Sequence, residues 1–322
     1  MRIRNACLAA VVAALALSAC GGADTGAARP ATGDGPEKTE ITVGVVPVPS
    51  AAPLFIAMEK GFFEQEGLKV RTETIQAPQA VMPKILNGSI DTFLTSYVSL
   101  IAIQDSGVAK LKMLVESQQG APGVNGVLVT GDSPLKKTGD LKGKKIAVNV
   151  VKALGEVTTS AHLKAAGLAP ADVSFVPVPF AEQLAALRAG RVDAAWMTEP
   201  YISAAKKELS ARVLVDTLTG PTEGLPLDGW AASADWTAKH PKTAAAFQRA
   251  LGRAQKLAAS DRTELNRVIP AYTRIPADVA AEMTLGTFST SLDAARVQRV
   301  ADLMSEFGLT KTKIDATALV AG

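Results

Sequence analysis

Cysteine is almost absent from this chain. Cys7 and Cys20 are the only two, and both fall within the first 20 residues. Everything beyond them therefore lacks a disulfide and a thiol nucleophile, and its stability must come from packing. Histidine is as scarce. His162 and His240 stand far apart and neither forms a metal pair or a nucleophile–base pair. No P-loop, G-x-S-x-G or H-E-x-x-H occurs. No catalytic residue, metal or cofactor is expected, and an enzyme is disfavoured. Long apolar runs are missing after residue 17, so no later segment is expected to span a bilayer. Charge of one sign is lacking too. Discounting Arg2 and Arg4 leaves 32 basic against 31 acidic residues. With no clustered basic stretch, a nucleic-acid partner has no electrostatic support.

What is present begins with a short leader. Arg2 and Arg4 precede an apolar run over residues 8–17 that ends in Leu17-Ser18-Ala19-Cys20-Gly21. Small residues before a cysteine followed by glycine resemble a bacterial lipoprotein signal. The resemblance implies cleavage before Cys20, diacylation of its sulfur, and an extracytoplasmic protein held to the cell membrane by lipid alone. The plainer alternative is a secretory signal with an incidental cysteine. Residues 1–19 are thus read as a signal peptide and 20–39 as a lipid-anchored flexible tether. The stretch GGADTGAARPATGDGPEKT has no sizeable apolar side chain with which to offset chain entropy.

From residue 40 the pattern alternates. Strands are predicted at 41–46, 68–72, 90–95 and 111–116, with helices at 53–67, 80–86 and from 97. A break at 117–123 and an extended run at 124–130 lead to a second unit. It has strands at 145–149, 173–178, 192–197 and 212–216, and helices at 155–166 and 181–189. The Gly- and Pro-rich stretch 218–228 leads to a returning strand at 230–233. Helices follow at 241–260, 262–268, 277–285 and 292–307. The expected class is α/β, in two lobes, each a mostly parallel sheet flanked by helices. Lobe 1 would take 40–121 and 218–322, and lobe 2 would take 122–217. The cleft between them, at the strands' carboxyl ends, is the natural ligand site.

Three stretches carry a family likeness: APLFIAMEKGFFEQEGL at 52–68, DLKGKKIAV at 140–148, and AALRAGRVDAA at 185–195 running into Glu199-Pro200-Tyr201. In order and spacing they resemble substrate-binding proteins of ABC importers for nitrate, sulfonate, taurine and pyrimidine-type ligands. The resemblance implies a type II periplasmic-binding-protein fold. It further implies a monomer that closes on one small molecule by hinge motion and delivers it to an ABC permease with its ATPase. The same fold is similar to thiamine-pyrimidine synthases, but these need cysteine and histidine clusters that this chain lacks. A lipid-anchored adaptor without a transport ligand is a third reading.

Four loops should line the cleft. After the first strand, Ser50 and the amides at Ala51 and beyond can donate to a ligand. After the third, Ser96 is either a helix N-cap or a ligand donor, with Tyr97 beside it. The loop from Asn149 opens a helix at Gly155, where Glu156 would repel an anion unless it turned outward, and Thr158 is a contact or a helix-face residue. Glu199 stands at the end of a buried strand before Pro200, and it either caps the next helix or meets a ligand cation. Trp196, Tyr201 and Trp230 are flat walls or core. No arginine falls at a predicted strand end, which favours an amine-bearing or zwitterionic ligand over a simple oxyanion.

Overall fold

The computed structural model describes residues 35–75 and 79–321. The expected signal peptide, Cys20 and most of the expected tether lie outside the described residues. From Gly35 on, the backbone contacts form one compact unit. Its strands are β1 (Glu40–Val45), β2 (Lys69–Thr74), β3 (Thr92–Ser96), β4 (Leu111–Gln119), β5 (Asn125–Val129), β6 (Lys145–Val148), β7 (Ser174–Pro177), β8 (Ala194–Thr198), β9 (Arg212–Asp216), β10 (Pro226–Ser233) and β11 (Thr287–Phe288). They divide between two sheets, one in the order β11-β4-β10-β3-β1-β2 and the other β7-β6-β8-β5-β9.

The α/β class holds, but the sheets are mixed rather than mostly parallel. β1 pairs in parallel with β2 and β3, and β6 with β7 and β8. β10 runs antiparallel to β3 and β4, and β5 antiparallel to β8 and β9. The cause is the route of the chain. β5 and β10 enter their sheets directly from the two segments that pass between sheets, residues 120–124 and 217–225, with no α-helical crossover to reverse their direction.

Local chemistry sets the element ends. The helix expected over 53–67 breaks into Ala52–Glu59 and Phe62–Gln65, because Gly61 adopts a left-handed conformation (φ 66°) between them. The helix Pro241–Ser260 buries Ala244, Phe247, Leu251 and Ala254 along one stripe against the first sheet. There Phe247 meets Phe63 at 5.5 Å and Trp230 at 6.5 Å. Trp230 is thus core, not a ligand wall. The ordered body also begins earlier than residue 40. Glu37 accepts from the backbone N–H groups of Lys242 and Thr243 (3.0 and 2.9 Å), and Lys38 pairs with Asp91 at 2.6 Å. Among the described residues no helix is long and apolar enough to cross a membrane.

β10 passes tightly beneath β4, with register shifts on both sides of Asp228. A Cβ on Gly229 would stand 2.4 Å from the Val115 carbonyl oxygen and 2.6 Å from Met113 Sδ. Gly229→Ala is therefore expected to cost roughly 1–3 kcal/mol of stability through overpacking, read as a lower urea midpoint at unchanged slope.

Candidate functional site

The carboxyl ends of β1, β3, β6 and β8 converge on a cleft of about 440 Å³, within the range of small-ligand sites. From the first sheet it takes Ser50, Thr95, Ser96, Ser99, Gln118 and Asp228; from the second, Asn125, Asn149, Phe180, Trp196, Thr198 and Glu199. A larger groove of about 650 Å³ lies near Lys38, Asp91 and Trp236, at the amino ends of β3 and β4. It is a poorer candidate, because open α/β sheets bind ligands at the carboxyl ends of their strands.

Five expected residues meet in the cleft: Ser50, Ser96, Asn149, Trp196 and Glu199. The other five do not line it. Ala51 is wholly buried one position into the turn after Ser50. Tyr97 points inward, its hydroxyl 3.4 Å from Glu116, and burial and that carboxylate push its pKa well up. Gly155 lies beneath the Trp196 indole. Thr158 turns its hydroxyl back to the Leu154 carbonyl (2.8 Å), as a helix-face residue does. Trp230 packs on Phe247. Tyr97 opens the helix Tyr97–Ser106 with its side chain already turned to the core. Glu156 is not among the residues lining the cleft and accepts from the Lys152 backbone N–H at 2.6 Å.

Two open alternatives receive a geometry. Ser96 is an N-cap, accepting from Ser99 N–H at 3.1 Å, and it lines the cleft as well. Glu199 accepts from the Ser203 N–H and hydroxyl (3.1 and 2.9 Å) at the start of the helix Tyr201–Leu209, and it too lines the cleft. Its carboxylate is thereby compensated at one helix terminus.

Asp228 was not foreseen. Its Oδ2 accepts from the Ser50 hydroxyl at 2.6 Å and its Oδ1 from the Gln118 N–H at 3.2 Å. Burial nevertheless raises its pKa from 3.8 to about 6, with Glu116 adding to the rise against those two bonds. The loop bearing Ser50 is fixed from behind, since the Tyr272 hydroxyl donates to the Val48 and Pro49 carbonyls (2.9 and 3.2 Å) and its ring stacks on Phe55 at 4.0 Å. Gln118, only 5 % exposed, leaves its Nε2 without a partner. Phe180 was also missed. It meets Trp196 at 5.9 Å and stacks on Tyr201 at 5.1 Å, completing an aromatic wall. The signal for Asp228 lay in Leu227-Asp228-Gly229-Trp230, an acid inside an apolar run.

The charge of the cleft is one-sided. Among the described residues, Asp228 and Glu199 are the charged ones lining it, and no lysine, arginine or histidine does. Among the described residues no group of histidine, cysteine and carboxylate side chains could hold a metal. Such a cleft can take a cation or an ammonium by charge-assisted hydrogen bonds, while Gln118 can donate to an acceptor on the same molecule.

The profile of the NMT1-like family matches residues 34–271. A Bacillus subtilis (strain 168) protein named for binding aliphatic sulfonates is 30% identical over 204 residues, 62% of this chain but 58% of that protein's length. The taurine-binding periplasmic protein of Escherichia coli (strain K12) is 26% identical over 218 residues, 67% of this chain and 66% of that one. In fold, the chain resembles the crystal structure of the periplasmic aliphatic sulphonate-binding protein of Escherichia coli. The TM-score is 0.73 at 24% identity, over 88% of this chain and 92% of that one. These names describe binding proteins rather than enzymes.

Ser50→Ala removes a bond that holds down the proton affinity of Asp228. NMR titration of that carboxyl is expected to show its pKa moving up from about 6.

Proposed function

Because the chain belongs to the NMT1-like family, we propose that it is an extracytoplasmic solute-binding protein that captures a small amine-bearing or zwitterionic compound and delivers it to an ABC permease with its ATPase. The observation that carries this reading is the pair of cleft carboxylates, Asp228 and Glu199, with no basic side chain lining the cleft among the described residues. An unpaired carboxylate in a desolvating cleft needs a cation, and the ligand supplies it. Gln118 Nε2 serves the acceptor end, and Phe180 and Trp196 cover the apolar body. Lobe 1 (40–121 and 218–322) carries Asp228, and lobe 2 (122–217) carries Glu199. A ligand that touches both binds the closed form better than the open one and shifts the hinge equilibrium by that difference. A lipid on Cys20 would keep this monomer beside its permease.

A thermal-shift panel of amines, zwitterions and oxyanions tests the class, since a ligand stabilises the state it binds. Stabilisation by oxyanions alone would overturn the amine reading, and a silent panel would favour the adaptor. Glu199→Gln should weaken an amine by about 1.5 kcal/mol, the low end for a charged hydrogen bond because Ser203 already donates twice to this carboxylate, as read by calorimetry.

The pH dependence has a definite sign. The raised pKa means that folding favours protonated Asp228 relative to the unfolded chain, so stability contributed by this group declines as pH rises from 3.8 to about 6. A bound ammonium needs the ionised form. Amine affinity should therefore fall about tenfold per pH unit below the Asp228 pKa, and Asp228→Asn should abolish that slope. An anion would show the opposite slope.

A further inference from the structure

One wall of this cleft is set by residues outside it. Trp196 is 3 % exposed, and of the three tryptophans it is the one that lines the cleft. Its Nε1 donates to Thr217 Oγ1 at 3.0 Å. Thr217 is wholly buried and directly follows β9, at the start of the segment that passes to the other sheet. Its own N–H donates to the Asn125 carbonyl (3.1 Å), and its carbonyl accepts from the Thr222 hydroxyl (2.7 Å), so the acceptor is rigid. On the other side a Cβ on Gly155 would stand 2.6 Å from both Cδ2 and Cε3 of the indole. Real Cβ contacts are not that short, so the ring occupies space that only glycine leaves open.

We propose that Gly155 and Thr217 are positioning residues that hold the Trp196 indole as a fixed gauge of ligand size, a reading that rests on this cleft being the ligand site. Gly155 sits in the buried first turn of the helix Leu154–Ala165, and Trp196 in an interior strand. Neither backbone has free space behind it, because protein interiors are close-packed. A methyl group at 155 thus drives the indole toward the cleft it lines, and shortens that cleft. Removing the Thr217 acceptor has a different consequence. The indole N–H then has no buried partner and turns to find one, so the wall loses its fixed position.

The test measures binding of the n-alkylamines from ethylamine to hexylamine, and of the n-alkylsulfonates of the same lengths, to wild type, Gly155→Ala, Thr217→Val and Thr217→Ser, with circular dichroism to confirm folding. Gly155→Ala is expected to shift the affinity ratio of shortest to longest ligand at least about tenfold toward the shortest, since a single methylene can carry that much discrimination. Thr217→Val should flatten the ratio and shift tryptophan emission, and Thr217→Ser should restore both. Folded variants that change every ligand by one common factor would overturn the gauge. Binding by the sulfonates alone would overturn the amine reading and still decide the gauge from their ratio. Wild type that binds neither class would remove the cleft as the site, and the gauge with it.

Discussion

A carboxylate kept in a cleft without a cation is costly, and much of the architecture around Asp228 bears on that cost. Two donors, the Ser50 hydroxyl and the Gln118 N–H, lower its proton affinity. Burial and the charge of Glu116 raise it, and they prevail, leaving the pKa near 6. Glu116 is itself buried but is paired with Arg296 at 3.3 Å, so that guanidinium is committed to another acid. Had Arg296 reached the cleft, Asp228 would be neutralised and the cleft would suit anions. The pairing keeps the site acidic.

Holding that acid in place requires the chain to pass twice between sheets. β10 comes from the second crossing and wedges between β3 and β4, where its irregular register separates two residues that a regular strand would put on one face. Asp228 reaches the cleft, while Trp230, two positions on, lies against Phe247 in the core. Gly229 allows the close pass under Val115 and Met113 that this needs. The first crossing delivers β5, whose Asn125 lines the same cleft from the other sheet. Mixed strand direction and the position of the site thus have one cause.

Much of this was legible in the residues. Most strands and helices of both units follow from apolar periodicity and from caps such as Ser96, though the helix Ala234–Lys239 and the two-residue β11 do not. Pro200 marked Glu199 as standing at a strand end, since proline cannot continue an interior ladder. What failed was finer than periodicity. A run rich in glycine and proline hid the first half of β10, and with it Asp228. Tyr97 follows Ser96, which does reach the cleft, but a helix turns about 100° per residue and carries it to the core side, while Thr158 spends its hydroxyl on the Leu154 carbonyl. Phe180 could not be placed because its partners, Trp196 and Tyr201, are brought to it only by the packing of the second sheet.

The two cleft acids are not equivalent, and their environments say which one governs affinity. Glu199 already has two bonds from Ser203 at a helix terminus, where its negative charge is favoured with or without a ligand. A ligand ammonium gains from it only the increment over those bonds. Asp228 has two bonds as well, yet its elevated pKa shows that they fall short of replacing the water it has lost. An arriving cation therefore relieves an existing penalty at Asp228, whereas at Glu199 it joins a satisfied group. Relief of that kind differs between the empty and the occupied cleft, and in the proposed mechanism a difference of that kind would favour the closed form. On the proposed reading, Asp228, rather than the acid made conspicuous by its proline, is the residue that would sense ligand charge.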